Sequence, residues 1–182
     1  MNCISTNQLL LNNYVRLLWE QHSTWTSMAI TSIVFELANE DAVTNRLLRN
    51  PRDFAAFLSN FYGEEKGKEF GELLTEHLVL ASELFKAIMA KDDKKAKEIR
   101  DTWYENAEDI ATFLSEINPF WSKEMWQEMF FEHLKLVEAI GVDLLNGNYE
   151  KAIENQDLLE LGVLEMADYM IEGILKQFPC EF

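Results

Sequence analysis

The sequence is poor in helix-breaking residues and in positive charge. Among its 182 residues are only seven glycines and three prolines, too few for the many tight turns of a β-rich protein. Lysine and arginine number 16 against 32 acidic residues, so the formal net charge is −16. A surface of that sign repels the phosphates of nucleic acids and anionic membranes. We therefore expect no nucleic acid and no membrane surface among the partners.

Two further absences concern the compartment. The first residues lack a basic segment followed by an apolar core, which is the pattern of a secretory signal peptide. No apolar run approaches the roughly 20 residues that a transmembrane helix needs. The two cysteines, Cys3 and Cys180, stand at opposite ends of the chain. A bundle with an even number of helices could join them, but we interpret them as free thiols and predict a cytoplasmic protein.

Apolar residues recur at intervals of three and four along almost the whole chain, which is the period of amphipathic helices. The predicted fold class is all-α. We expect a single domain, an antiparallel bundle of five long helices and one short helix. The short helix follows Asn50-Pro51 and ends near Gly63. The long helices are predicted at about 9–37, 65–90, 93–117, 122–146 and 149–177.

Part of the chain repeats itself at an offset of 56 residues. Residues 70–101 align with residues 126–157, and both segments contain the tripeptide Glu-His-Leu. We interpret this as a duplicated helix hairpin. Unit one covers about 9–92, unit two about 93–147, and a closing helix about 149–177. Related units often pack with pseudo-twofold symmetry, which would place equivalent residues opposite one another.

Only three histidines occur, and each falls in the apolar stripe of a predicted long helix. Their neighbours at three or four residues are apolar, so the rings are expected to face the core. An amide and a carboxylate occupy similar positions in the other two long helices. In chain order the polar set is His22, His77, Asn106, His133 and Asp168, with Glu165 one turn before Asp168. Most of these lie near the middle of a helix, so antiparallel packing in register would bring them into one layer.

Imidazole and carboxylate groups on facing helices are the ligands of metal sites in helical bundles. We predict that the three histidines bind one divalent ion, with Asp168 or Glu165 as the carboxylate. Asn106 would be a ligand or the hydrogen-bond partner of one. Iron, zinc and manganese suit this set, and an open coordination position would bind water or dioxygen. The hypothesis fails if the rings lie more than about 8 Å apart.

Two other interpretations stay open. The histidines could be core residues, in a non-catalytic module that homodimerises or binds a partner helix through an exposed apolar patch. The five tryptophans largely share the histidine stripes, so a third hypothesis is a small apolar ligand held between Trp25 and Trp103 without metal. The sequence contains no His-Glu-x-x-His, no Glu-x-x-His and no glycine-rich phosphate loop. Their absence argues against zincin, four-helix di-iron and nucleotide-binding chemistry.

A series of motifs covers nearly the whole chain: WEQHSTWT, RLLRNPRDF, FYG, EHL, WYENAEDIATFLSEINPFW, a second EHL, EMAD and QFP. In these motifs the sequence resembles an uncharacterised bacterial family of helical proteins of about this length. Some members carry an acetylglutamate-kinase label, but an amino-acid kinase needs an α/β fold and glycine-rich nucleotide contacts, which this sequence lacks. The resemblance implies a helical fold and no known reaction.

The paired Glu-His-Leu segments also look distantly like the duplicated metalloprotein bundles of bacilli, in which histidine and carboxylate hold the metal. That likeness implies His22, His77 and His133 as ligands. Asn106 departs from a fourth imidazole, so a symmetric two-metal site is not implied.

Overall fold

The computed structural model describes residues 4–182, so the prediction about Cys3 lies outside the described residues. Within this range the chain is helical and contains no strand, which confirms the all-α prediction. The helices are α1 (Thr6–Val34), α2 (Glu40–Leu47), α3 (Asn50–Tyr62), α4 (Glu64–Met89), α5 (Asp93–Ile117), α6 (Lys123–Leu145) and α7 (Tyr149–Gln177). None of these helices has both the length and the apolar character needed to cross a bilayer.

Side-chain caps define where several helices begin. The Ser5 hydroxyl accepts a hydrogen bond from the backbone N–H of Gln8, and the Gln8 side chain accepts one from the backbone N–H of Ser5. This reciprocal pair is a capping box. Asp92 and Ser122 cap α5 and α6 through their own side-chain oxygens. Each cap satisfies a backbone N–H that the first turn of a helix leaves unpaired.

Helix α2 is the element that the sequence-based prediction misses. Its eight residues bury only Val43 and Leu47, which is too short a pattern to show a helical period. The first helix also ends at Val34 rather than near residue 37, because Glu36 has a left-handed backbone with φ of 49°. Within residues 4–182 the bundle therefore has five long helices and two short ones.

The five long helices pack in a closed ring. The pairs α1–α4, α4–α5, α5–α6, α6–α7 and α7–α1 are all in contact, and α3 covers α4. Arg16 of α1 meets Asp168, whereas Ser27, later in α1, meets Gln156, earlier in α7. These two helices are therefore antiparallel. Helix α1 also contacts α6 across the ring, so the three histidine-bearing helices α1, α4 and α6 meet in its interior.

The core is continuous and rich in aromatic side chains. Its largest fully buried members are Trp19, Trp103, Trp126, Phe54, Phe70, Phe85 and Phe130. Burial of apolar surface at about 25 cal/mol per Å² is the main stabilising contribution in such a core. A smaller separate cluster lies beneath α2 and contains Val43, Leu47 and Leu78, with Trp25 packed against it. The polar residues described next lie within the large core.

Candidate functional site

The three histidines lie side by side inside the bundle. The ring centroids of His22 and His133 are 5.3 Å apart, and the centroid of His77 lies 6.2 Å from His133 and 6.5 Å from His22. Their exposed fractions are only 1%, 5% and 1% for His22, His133 and His77. The structure thus brings together three residues that are far apart in sequence. Their separations are below the limit of about 8 Å that the metal hypothesis requires.

Asn50 fixes the orientation of the His22 ring. Nδ1 of His22 lies 3.2 Å from Oδ1 of Asn50, and Nδ2 of Asn50 donates to the backbone carbonyl of Leu18 at 2.9 Å. Because the amide nitrogen is bonded to a carbonyl, the asparagine presents its oxygen to the ring, and that oxygen can only accept. Nδ1 of His22 therefore carries the proton, and Nε2 keeps a lone pair.

Asn106 holds His77 in the same way. Nδ1 of His77 donates to Oδ1 of Asn106 at 2.9 Å, and Nδ2 of Asn106 donates to the carbonyl of Leu73 at 3.1 Å. The same amide nitrogen lies 3.5 Å from a carboxylate oxygen of Glu76. Nε2 of His77 is buried and has no hydrogen-bond partner within residues 4–182. Asn106 thus pairs with a candidate ligand, which is one of the two roles predicted for it.

His133 has no such partner in the part of the chain that the structure describes. Its Nδ1 is buried without a hydrogen bond to any described residue. Asn50 follows His22 by 28 residues and Asn106 follows His77 by 29, but the residue 29 positions after His133 is Gly162. A cavity of about 630 Å³ opens here between α6 and α7, and both His133 and Gly162 line it.

Burial keeps all three imidazoles neutral. It lowers the pKa of His22 to about 4, although the hydrogen bond to Asn50 opposes the shift. It lowers the pKa of His77 to about 3, with repulsion from His22 acting in the same direction and Asn106 opposing. Burial, then His22 and His77, hold the pKa of His133 well below its usual 6.5. Neutral imidazole is the form that binds metal ions.

The predicted carboxylates lie outside the histidine cluster. Asp168 is exposed and forms an ion pair with Arg16 of α1, so its predicted position in a core-facing stripe is wrong. Glu165 is also exposed and lines the cavity beside His133. Helix α7 has apolar residues on two faces, and the stripe through Leu161 and Asp168 points outward. The face that α7 buries contains Leu159, Val163, Met166, Met170 and Ile174.

Within residues 4–182, no three histidine, cysteine, aspartate or glutamate side chains are arranged to hold a metal ion as they stand. The ring separations account for this. Three imidazoles around one tetrahedral ion have centroids about 5 Å apart. The separation of His22 and His133 is close to that value, whereas His77 is about 1 Å too far from both.

The tryptophan pocket considered from the sequence is not formed. Trp25 is half-buried in the small cluster beneath α2, and the guanidinium of Arg46 lies 4.7 Å from its ring centroid. Trp103 is buried in the main core, 5.4 Å from the ring centroid of His77. The two indoles therefore belong to different clusters, and neither lines the cavity beside His133.

Sequence reasoning missed two residues of this site. Asn50 is interpreted from the sequence as a residue that starts a helix, but its side chain is fully buried and bonded to His22. Gly162 carries no signal of its own. The signal that finds both is their spacing from the histidines, because Asn50, Asn106 and Gly162 follow the three rings by nearly equal distances in sequence.

Comparison of the chain with protein-family models, curated proteins and solved structures finds no significant match. The family resemblance seen in the motifs therefore stays a prediction, and the candidate site rests on the residues described above.

Proposed function

We propose that His22, His77 and His133 bind one divalent transition-metal ion inside the bundle. The observation that carries the proposal is the fixed orientation of two of the rings: the asparagines accept the Nδ1 protons, so both Nε2 atoms keep lone pairs in the core. Metal-binding histidines are commonly held by an oxygen acceptor on the second nitrogen. A buried lone pair without a donor costs about 1–3 kcal/mol, and a bound ion would remove that cost at His77.

The ligand chemistry favours zinc or iron. Neutral imidazole suits both ions, whereas manganese prefers carboxylate and other oxygen ligands. Asp168, the carboxylate expected from the sequence, is engaged by Arg16 on the surface. Three protein ligands leave a coordination position for water or a substrate, and the ion would supply a Lewis acid there.

Binding requires a small closure of the cluster. His77 has to approach the other two rings by about 1 Å. Its Nε2 has no hydrogen bond within the described residues that would have to break first. Because the three rings stand on α1, α4 and α6, an ion would cross-link these helices. We therefore expect the melting temperature of the metal-free protein to rise when the ion is added.

Elemental analysis of untagged protein purified without chelator tests the proposal, followed by calorimetric titration of metal-free protein with zinc(II) and iron(II). We expect one ion per chain. His77→Gln and His133→Gln should abolish binding, and Asn106→Leu should weaken it by about 10–100-fold by loosening the His77 ring. Asp168→Asn is the matched control, because its exposed carboxylate pairs with Arg16 and should not affect affinity.

Protein that contains no metal and shows no thermal shift with zinc, iron or manganese would contradict the proposal. The histidines would then be structural, as the interpretation of a non-catalytic module requires. In that case the exposed apolar residues Leu10 and Leu17 of α1 would be the surface to test for a homodimer by sedimentation.

A further inference from the structure

Asn106 makes a set of contacts on α4 that defines a small recognition pattern. Its oxygen accepts from Nδ1 of His77, and its nitrogen donates to the carbonyl of Leu73, four residues earlier on the same helix. The nitrogen also lies near the carboxylate of Glu76, the residue before the histidine. One carboxamide thus satisfies an imidazole N–H and a helix carbonyl together.

The same pattern recurs on α1. There the carboxamide of Asn50 joins Nδ1 of His22 to the carbonyl of Leu18, again four residues before the histidine. Two of the three buried histidines are therefore matched by a carboxamide that the chain itself provides.

Helix α6 has the histidine, the carbonyl four residues before it and the preceding glutamate, but no carboxamide of the described residues pairs with them. Met129 precedes His133 by four residues and Glu132 precedes it by one, and all three line the cavity between α6 and α7. His133 is 5% exposed, and its Nδ1 has no partner within residues 4–182. Gly162 stands where the spacing would place an asparagine, and a Cβ added to it would meet no atom within 4 Å.

The cavity has the size and lining of a small-molecule site. Its volume of about 630 Å³ lies within the roughly 300–1,000 Å³ typical of ligand pockets. Its apolar wall is formed by Met125, Met129, Leu136, Leu158, Leu159 and Leu161. Three carboxylates, those of Glu128, Glu132 and Glu165, stand around it, and no lysine or arginine of the described residues lines it. Lys135, outside the lining, pairs with Glu132, which leaves Glu128 and Glu165 as the uncompensated charges. This charge disfavours anionic ligands.

We infer that this cavity binds an uncharged small molecule that carries a primary carboxamide on an apolar body. The carboxamide would repeat the contacts of Asn106, with its oxygen at Nδ1 of His133 and its nitrogen at the carbonyl of Met129 and the carboxylate of Glu132. Because Nδ1 is buried as the cavity stands, a lining side chain must shift to admit the head group. Like the asparagine side chain, it offers an acceptor and two donors in one plane. Contact through Nδ1 leaves Nε2 of His133 for an ion, so the inference does not depend on the metal site.

The pattern separates this ligand from two close analogues. A carboxylate places negative charge against the Met129 carbonyl and Glu132, which is repulsive. An alkylammonium ion suits the three carboxylates but offers no acceptor to an imidazole N–H. Of these three head groups, only the carboxamide offers both an acceptor to the ring and a donor to the carbonyl, as Asn50 and Asn106 do.

Calorimetric titration of chelator-treated protein with hexanamide, hexanoate and hexylamine tests the inference, since these probes share a chain length and differ in the head group. We expect hexanamide to bind and to shift the NMR signals of the His133 ring. Hexanoate and hexylamine should each bind at least about tenfold more weakly. His133→Phe removes the imidazole and should lower the affinity for hexanamide to that of the analogues.

Two substitutions on α7 provide a test and its control. Gly162→Asn introduces the carboxamide that the other two histidines have, and it should weaken hexanamide binding by at least about tenfold. Asp168→Asn is the control, because Asp168 pairs with Arg16 and does not line the cavity, so the affinity should stay within about threefold of the original. Circular dichroism and thermal unfolding confirm that both variants are folded.

Three results would each overturn the inference. The first is no binding of hexanamide to the unsubstituted protein. The second is equal binding of hexanamide to folded Gly162→Asn. The third is tighter binding of hexylamine than of hexanamide, because the cavity would then select a cation through its carboxylates rather than a carboxamide through His133.

Discussion

The α4–α5 and α6–α7 hairpins place a buried histidine in two different environments. Nδ1 of His77 is paired with Asn106, whereas His133 lines a cavity in which Gly162 takes the corresponding position. Both rings are neutral and almost fully buried. The two hairpins thus differ in the residue that the second helix presents to the histidine, a hydrogen-bonding asparagine in α5 and a glycine beside a cavity in α7.

Asn106→Gly would give the α4–α5 hairpin the glycine that the α6–α7 hairpin has at this position. We expect the largest loss of stability from this substitution. The change removes one buried and one half-buried hydrogen bond, leaves Nδ1–H of His77 unpaired and puts glycine inside a helix. The free energy of unfolding should fall by about 3–5 kcal/mol. Urea denaturation measures the loss, and a change of less than about 1 kcal/mol would show that this contact does not order the hairpin.

Lowering the pH should decrease the free energy of unfolding, because the three buried histidines stay neutral in the folded protein. In the unfolded chain histidine binds a proton below about pH 6.5, whereas the folded-state pKa of His22 is about 4. The unfolded state therefore takes up more protons as the pH falls, and stability is lost between pH 6.5 and 4. For His22 alone the loss is about 3 kcal/mol in metal-free protein.

Urea unfolding of chelator-treated protein at several pH values in this window measures the slope. His22→Gln is the control, because its slope should be shallower by about one proton. Identical slopes for the two proteins would contradict the assignment of the acid sensitivity to this ring.

Gly162→Asn closes the open hairpin, and it should stabilise the protein. The new carboxamide would pair with Nδ1 of His133 and replace glycine in the interior of α7. The expected gain is about 1–2 kcal/mol, seen as a higher melting temperature. A variant that is less stable than the original would mean that the α6–α7 cavity cannot accept the arrangement found around His77.

The smallest expected effect comes from Gly162→Ala, a gain of about 0.5–1 kcal/mol from the helix preference of alanine. Gly141 of α6 offers the opposite case, because a Cβ there would overlap the buried ring of Phe85. Gly141→Ala should therefore destabilise the protein by about 1–3 kcal/mol. Thermal unfolding of the two variants in parallel distinguishes the open cavity at Gly162 from ordinary close packing.

Much of the fold could be predicted from the sequence, because the long helices carry enough periods to define their faces and ends. The start of α6 and the helix after Asn50-Pro51 are where the sequence predicts them. Helix α2 could not be predicted from the sequence, since only Val43 and Leu47 of its eight residues are buried. The early end of α1 depends on the left-handed backbone of Glu36, which the amino-acid composition does not predict.

The candidate site was predictable only in part. The three histidines have well-defined apolar stripes on α1, α4 and α6, and the structure brings their rings together. Asp168 was misplaced because α7 has two apolar faces, and periodicity cannot tell which of them is buried. Leu158 and Leu161 lie on the outer face, exposed by 54% and 61%, and they line the cavity.

The sequence by itself determined the helical class, the acidic surface and the presence of polar groups in the core-facing stripes, because these follow from composition and from the local period of 3.6 residues. Only the tertiary structure decided the partner of each ring. Pairing depends on which residues of separate helices meet, through contacts between side chains 28 or more positions apart. That is why Asn50 and Asn106 pair with Nδ1 of His22 and His77, whereas Nδ1 of His133, beside Gly162, has no partner within residues 4–182.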